Sequence, residues 1–174
     1  SIIWIGARLD ILLLWDKKTG KQYSYKEIDA LRNIAGNAVQ SITKHQKTGD
    51  IWLGTRYDGI YIVKRNGTKP VSLIRLRDEY PDLITINTMV QDTIGNMWIA
   101  TEQGLFIGES ISEQEYVIKP VAVLNNIISN KSIHTVLCDK AGIWIGTKDY
   151  GAFYLSLDGK LTDYNLANGK LNYD

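Results

Sequence analysis

One short motif occurs four times along this chain at nearly constant spacing. Each copy has an apolar residue, a tryptophan, a second apolar residue and a small residue, and three copies continue with a threonine. The tryptophans are Trp4, Trp52, Trp98 and Trp144, which lie 48, 46 and 46 residues apart. Four copies in phase indicate an internal repeat, so we expect four similar structural units.

Each unit is predicted to form four short antiparallel strands. In the last three copies, an inner strand and a tight turn precede the tryptophan strand, and a second turn with a glycine leads into a third strand. The glycines of this second turn are Gly59, Gly104 and Gly151, and a weaker fourth strand follows, as at residues 161–164. Four strands in about 46 residues are typical of a β-propeller blade.

Neighbouring apolar residues such as Trp52 and Leu53 predict strands that are buried on both faces. An antiparallel sheet with one face in water would alternate apolar and polar residues instead. Stacked sheets satisfy the observed pattern. We therefore predict an all-β fold, a β-propeller of about four blades of four-stranded antiparallel sheets. Residues 1–174 would form one propeller segment, with blades near 1–35, 36–83, 84–130 and 131–174.

The first blade is expected to be incomplete, because the chain begins in the strand that carries Trp4. The chain ends where a further inner strand would begin, so we expect a fragment of a larger propeller. Sheets at the two ends would then expose apolar faces, which repeat proteins avoid. We expect these end faces to mediate self-association or contact with the remaining blades.

The charge balance argues against two classes of partner. Twenty basic and nineteen acidic residues leave a net charge of +1. This gives no reason to expect nucleic acid, or membrane contact by this segment. Cys138 is the single cysteine, so an intrachain disulfide is excluded.

Catalytic motifs are not evident in the sequence. The two histidines, His45 and His134, occupy different positions in their repeats. No glycine-rich phosphate loop or metal-ligand spacing occurs. We therefore expect no enzyme, with no catalytic residues, metal or cofactor in this segment.

Residues that recur in the repeats are expected to hold the fold. The tryptophans would pack between adjacent blades, small residues would allow close approach of the sheets, and threonine hydroxyls would make local hydrogen bonds. Asp92 and Asp139 are expected to be turn residues. The predicted structural set is Trp4, Trp52, Trp98, Trp144, Gly54, Gly146, Thr55, Thr101 and Thr147.

Positions at which the repeats differ are better candidates for ligand binding. Loops between the second and third strands carry basic residues beside tyrosine and aspartate, which suits a polar ligand such as a glycan. A matched polar residue at the start of each inner strand would either line the propeller mouth or cap backbone groups. The predicted ligand-binding residues are Arg56, Tyr57, Asp58, Lys148, Asp149, Tyr150, Gln40, Asn87 and His134, and the loop of the first copy would add Arg8 and Asp10.

The pattern Asp-x-x-Gly-x-apolar-Trp-Ile-Gly-Thr resembles the two-component regulator propeller repeat. Residues 92–101 and 139–147 match it best, the latter one residue short, whereas His45 replaces the aspartate of the second copy and Ala7 the threonine of the first. The resemblance implies the periplasmic, or extracytoplasmic, sensor region of a membrane-anchored hybrid two-component system. A histidine kinase would lie outside this segment.

The resemblance also implies a function. The segment would recognise an oligosaccharide or another polar small ligand, or relay its presence. The first alternative is a propeller scaffold that binds proteins and no small ligand, and the second is a propeller lyase or hydrolase.

Overall fold

The computed structural model describes residues 1–7, 11–34, 38–111, 115–125, 127 and 132–165. The chain divides into two compact units, Ser1–Ile86 and Asn87–Asp174. Each unit contains two antiparallel sheets. No helix in the described ranges has the length and apolar character that crossing a membrane requires.

The first unit contains sheet one and sheet two. Sheet one has the strand order β1-β2-β3, and sheet two has the order β4-β5-β6-β7. The strands are β1 (Ile2–Ala7), β2 (Ile11–Asp16), β3 (Gln22–Ser24), β4 (Val39–Lys44), β5 (Ile51–Thr55), β6 (Ile60–Asn66) and β7 (Lys69–Arg75). Short 3-10 helices occupy Tyr25–Glu27, Asp29–Leu31 and Leu76–Asp78.

The second unit contains sheets three and four. Sheet three has the order β8-β9-β10-β11, and sheet four has the order β12-β13-β14-β15. The strands are β8 (Ile86–Gln91), β9 (Met97–Thr101), β10 (Gly104–Ser110), β11 (Tyr116–Pro120), β12 (Ile133–Cys138), β13 (Gly142–Thr147), β14 (Ala152–Ser156) and β15 (Leu161–Tyr164). One helical turn, α1 (Ala122–Asn125), follows β11.

The predicted all-β fold of propeller blades is confirmed. Sheets two, three and four each have four strands that pair with their neighbours in chain order, and sheet one has three. Each repeat tryptophan lies in the second of the four strand positions, since β1, β5, β9 and β13 carry them. The grouping of all four sheets into one segment, with the blade limits given above, stays a prediction.

Sheets pack in the same way inside each unit. We call the side of a sheet that bears the repeat tryptophan its tryptophan face, and the side that bears the two residues next to that tryptophan its flanking face, because successive side chains point to opposite sides. In the first unit, Trp4 and Leu14 on the tryptophan face of sheet one pack with Ile51 and Leu53 on the flanking face of sheet two.

The second unit repeats this arrangement. Trp98 and Leu105 on the tryptophan face of sheet three pack with Ile143, Ile145 and Phe153 on the flanking face of sheet four. Leu105 and Ile145 are completely buried. Burying one such side chain stabilises the fold by about 1.5–3 kcal/mol, so this contact between sheets is a main source of stability.

A small residue two positions after the tryptophan allows the sheets to approach. In sheet one this residue is Gly6, and a Cβ atom added there would lie only 2.9 Å from Cγ1 of Val39 on sheet two. The corresponding residue of sheet three is Ala100, which is completely buried. A larger side chain at this position would push the two sheets apart.

The aspartates of the repeat hydrogen-bond both to the turn before the tryptophan strand and to the tryptophan side chain. Asp92 accepts hydrogen bonds from the backbone N–H groups of Gly95 and Asn96, both at 2.8 Å, and from Nε1 of Trp98 at 3.0 Å. Asp139 accepts one from Nε1 of Trp144 at 3.2 Å. These aspartates are therefore turn residues that also orient an indole ring.

Repeat threonines close the turn on the other side of the tryptophan strand. The hydroxyl of Thr55 donates to the carbonyl of Gly59 at 2.9 Å and accepts from the backbone N–H of Asp58 at 3.0 Å. Thr101 and Thr147 donate to the carbonyls of Gly104 and Gly151 in the same manner. Each hydroxyl satisfies a backbone carbonyl and a backbone N–H inside one tight loop.

We predict that Gly59→Ala destabilises the first unit more than Gly67→Ala does. Both glycines have a positive φ, 70° and 61°, so both substitutions add backbone strain of about 1–2 kcal/mol. At Gly59 the new Cβ would also lie 2.3 Å from the carbonyl oxygen of Leu83, whereas no atom lies within 4 Å at Gly67. Urea denaturation measures how far each substitution lowers the free energy of unfolding. Equal decreases for the two variants would contradict the close approach at Gly59.

Candidate ligand-binding rim

Gln40, Asn87 and His134 are the polar residues predicted at the starts of the inner strands. Two of them, Gln40 and His134, lie where the pairing of the inner strand with the tryptophan strand shifts by one residue. In sheet two, Val39 pairs with Thr55 and Ser41 with Gly54, so Gln40 is an extra residue on β4. The same shift occurs between Ile133 and Thr135 on β12, which makes His134 the extra residue there. Bulges of this kind redirect a side chain away from the regular sheet, and both side chains are exposed.

The loop after each repeat threonine lies beside the start of the inner strand. In sheet two, the backbone N–H of Arg56 donates to the carbonyl of Ala38 at 3.0 Å. In sheet four, Lys148 donates likewise to the carbonyl of Ser132 at 3.1 Å. Sheets two and four thus each bring this loop and the inner-strand residue to one end, which we call the rim of that sheet.

The rim of sheet two presents a tyrosine beside a guanidinium group. Tyr57 is 57% exposed, and the guanidinium carbon of Arg56 lies 5.4 Å from the centre of its ring. Thr85 donates to the carbonyl of Arg56, and Arg77 donates to the carbonyl of Tyr57, both at 2.8 Å. The loop backbone is therefore held in place while the ring of Tyr57 remains open to solvent.

Asp58 occupies a different position from that expected of a ligand contact. Its buried carboxylate receives hydrogen bonds from the hydroxyl of Tyr61, from the guanidinium of Arg75, and from Nη1 of Arg77 at 2.8 Å. Arg75 also bridges to Asp78 at 3.3 Å. The acceptor positions of Asp58 are thus taken by the protein itself, and the residue anchors the rim loop to β7.

The pKa of Asp58 reflects two opposing effects. Burial raises it, but hydrogen bonds from Arg75, Tyr61 and Arg77 act in the opposite direction and leave the pKa below the ordinary aspartate value. The charged form is therefore favoured in the folded chain.

Asn87 caps a backbone group, which is one of the two roles predicted for the polar residues at the starts of the inner strands. Its side-chain amide donates to the carbonyl of Ile133 at 2.8 Å and to the carboxylate of Glu102 at 3.3 Å. Beside it, the hydroxyl of Thr88 donates to the carbonyl of His134 at 3.0 Å. Sheet three thus satisfies backbone carbonyls at the bulge of sheet four, which is a structural use of Asn87.

The rim of sheet four is open to solvent. Lys148, Asp149 and Tyr150 are all exposed, with Tyr150 at 45%, and His134 lies at the neighbouring bulge. The backbone N–H of Tyr150 donates to the hydroxyl of Thr147 at 2.9 Å, which fixes the loop. Arg8 and Asp10, the expected rim residues of sheet one, lie outside the described residues.

In the described ranges, no three His, Cys, Asp or Glu side chains come together as they would around a metal ion. Burial, together with the charges of Asp92 and Asp139, raises the pKa of Cys138 to about 12. Cys138 is therefore a protonated thiol at neutral pH, which is a poor nucleophile.

The fold is shared with solved structures of low sequence identity. The chain superposes on the extracellular domain of BT3049 from B. thetaiotaomicron, described as a hybrid two-component system, with a TM-score of 0.66, 20% identity and 94% of this chain covered. It superposes on PorZ, a surface component of the type-IX secretion system of Porphyromonas gingivalis, with a TM-score of 0.69, 19% identity and 98% coverage. A streptogramin B lyase gives a TM-score of 0.64 at 14% identity and 98% coverage.

These structures are all longer than the chain, which spans 20%, 27% and 53% of their respective lengths. No family model matches the sequence, and no curated protein matches it either. At these identities the likeness establishes the fold alone, which is found in a hybrid two-component system, a secretion-system component and a lyase.

We predict that Asp58→Asn destabilises the first unit by about 2 kcal/mol, because it removes the charge that Arg75 and Arg77 bind. The loss is limited because the Arg75 and Arg77 side chains are 40% and 35% exposed, so that solvent screens their attraction to Asp58. The matched control is Asp78→Asn, whose carboxylate is 71% exposed and whose loss should cost under about 0.5 kcal/mol.

The Asp58→Asn variant also gives a pH test. Since the folded-state pKa of Asp58 is lowered, its stabilising contribution is complete above the unfolded value of 3.8 and is lost as the pH falls through the folded value. Denaturation in urea between neutral and acidic pH should show that Asp58→Asn weakens this acid dependence. An unchanged acid dependence in Asp58→Asn would contradict the assignment.

Proposed function

We propose that this chain is the ligand-sensing propeller region of a membrane-anchored two-component system, located outside the cytoplasm. Its task is to recognise an oligosaccharide or to relay the presence of one. The observation that carries the proposal is the pair of similar rims on sheets two and four. Each rim carries an exposed tyrosine, Tyr57 or Tyr150, and a basic residue on one loop that hydrogen bonds hold in place, and in sheet two the guanidinium of Arg56 lies over the ring of Tyr57.

This arrangement suits a sugar chemically. A tyrosine ring provides an apolar surface for the C–H groups of a pyranose, and its hydroxyl provides a polar contact. Arg56 and Lys148 add donors for sugar hydroxyls, and Gln40 and His134 add donors and acceptors at the bulges. Because the loop backbone is already held, little conformational entropy is lost when a ligand binds.

A route for relaying the signal begins at Tyr57. Arg77 donates both to the carbonyl of Tyr57 and to the carboxylate of Asp58, each at 2.8 Å, and Asp58 is paired with Arg75 at the end of β7. A ligand that moves the loop would therefore act on the outermost strand of sheet two. Such a shift requires that the ligand bind one position of the loop more tightly than the other.

The comparisons support this proposal through the shared fold. BT3049 is described as a hybrid two-component system, and the matching part of it is extracellular. The resemblance of residues 92–101 to the two-component regulator propeller repeat supports the same assignment. The same fold in a streptogramin B lyase supports a propeller lyase or hydrolase as an alternative function. PorZ, a surface component of a secretion system, has this fold as well.

We predict that Tyr57→Ala and Tyr150→Ala each weaken oligosaccharide binding by about tenfold, because each removes a stacking contact of about 1–1.5 kcal/mol. Calorimetric titration of the chain with a panel of oligosaccharides of different linkage measures the dissociation constants. The matched control is Ile94→Ala, an apolar side chain that is 71% exposed in the turn at the opposite end of sheet three.

The outcomes separate the proposed function from its rivals. Binding that weakens in both tyrosine variants and not in Ile94→Ala supports glycan recognition at the rims. The absence of heat with every oligosaccharide, or equal affinity in all variants, contradicts it. Turnover of an oligosaccharide by the chain would instead support the lyase or hydrolase alternative.

A further inference from the structure

The tryptophan face of sheet four is exposed where the corresponding face of sheet three is buried. Trp144 is 37% exposed and Leu137 is 61% exposed, whereas the equivalent Trp98 is only 9% exposed. The rings of Tyr154 and Tyr164 lie 4.7 and 5.3 Å from the ring of Trp144, measured between centroids. Leu137 and Tyr154 pair with Trp144 across the strands, so these four side chains lie together on one face of the sheet.

This surface is built in the same way as the buried one. Trp144 donates to Asp139 at 3.2 Å as Trp98 donates to Asp92 at 3.0 Å, so the indole has the same anchor in both sheets. Gly146 stands where sheet three has Ala100, the small residue that permits close approach. The tryptophan face of sheet four therefore has the features that let another sheet pack on it. No sheet formed by the described residues of its unit covers this face.

The chain also carries the complementary surface. On the flanking face of sheet one, Ile3 and Ile5 are 36% and 41% exposed, and they pair across the strands with Trp15 and Leu13. The same repeat positions in sheet four hold Ile143, Ile145, Leu155 and Phe153, which pack against Trp98 and its neighbours. Sheet one therefore presents the kind of face that a tryptophan face contacts inside both units.

We propose that two copies of this chain associate head to tail through these surfaces. The tryptophan face of sheet four in one copy packs on the flanking face of sheet one in the other. The contact extends to a second copy the sheet-to-sheet packing seen within each unit, between sheets one and two and between sheets three and four. It is heterologous, because each copy contributes a different surface. The net charge of +1 adds little repulsion between copies.

Sedimentation velocity over a range of protein concentrations tests this association. The wild-type chain should change from single chains to pairs or larger species as its concentration rises. Leu137→Glu and Ile5→Glu each place a charge on one of the two surfaces and should each weaken association by at least about tenfold. Ile94→Glu, at an apolar side chain exposed on a turn, is the matched control and should associate like the wild type.

A mixture of the two variants distinguishes head-to-tail contact from contact between like faces. Leu137→Glu keeps an intact sheet one and Ile5→Glu keeps an intact sheet four, so an equimolar mixture should form one-to-one pairs that neither variant forms alone. Circular dichroism establishes that both variants are folded.

Three results would overturn the proposal. A wild-type chain that sediments as single chains at every concentration would mean that the two faces do not associate. Association that only Leu137→Glu abolishes would mean that sheet four meets a second sheet four. Association that neither variant weakens would place the contact on another surface.

Discussion

The structure depends on the packing of a tryptophan face against the flanking face of the next sheet. The contact occurs in both units, with Trp4 in one and Trp98 in the other. It explains why the repeat keeps its residues in a fixed order. The tryptophan fills the space between sheets, the residues beside it form the opposite face, and a small residue such as Gly6 lets the neighbouring backbone approach. The aspartate and threonine at the two ends of the strand hold the turns that set its position.

The repeat made much of the fold predictable. The strand order and the position of each tryptophan could be predicted because four copies of one motif each indicate a small antiparallel sheet with the tryptophan in its second strand. Contacts between distant residues could not be predicted in this way. Asp58 pairs with Arg75 and Arg77, which are 17 and 19 residues away, and nothing in the local sequence of Asp58 indicates them. The bulges at Gln40 and His134 were also missed, because a one-residue shift in pairing leaves no compositional signal.

Ligand recognition and sheet stacking use different parts of the same repeat. Positions within the tryptophan strand are nearly constant, whereas the loop after it changes from Arg56 and Tyr57 in one copy to Lys148 and Tyr150 in another. Loops can change because the hydroxyl of the repeat threonine holds the turn whatever side chains the loop carries. Even so, some variable residues are structural, as Asp58 shows. Exposure and free hydrogen-bonding capacity, rather than variability alone, distinguish a candidate ligand residue from an anchor.

The central claim, that sheet stacking on the repeat tryptophan stabilises each unit, is tested most directly by comparing Trp98→Ala with Trp144→Ala. Urea denaturation would be measured at a protein concentration low enough for single chains. Both indoles have the same aspartate anchor, but among the described residues of their unit only Trp98 packs against a further sheet. We expect Trp98→Ala to lower the free energy of unfolding by about 3–5 kcal/mol and Trp144→Ala by less than about half as much. Equal losses for the two variants would contradict the account.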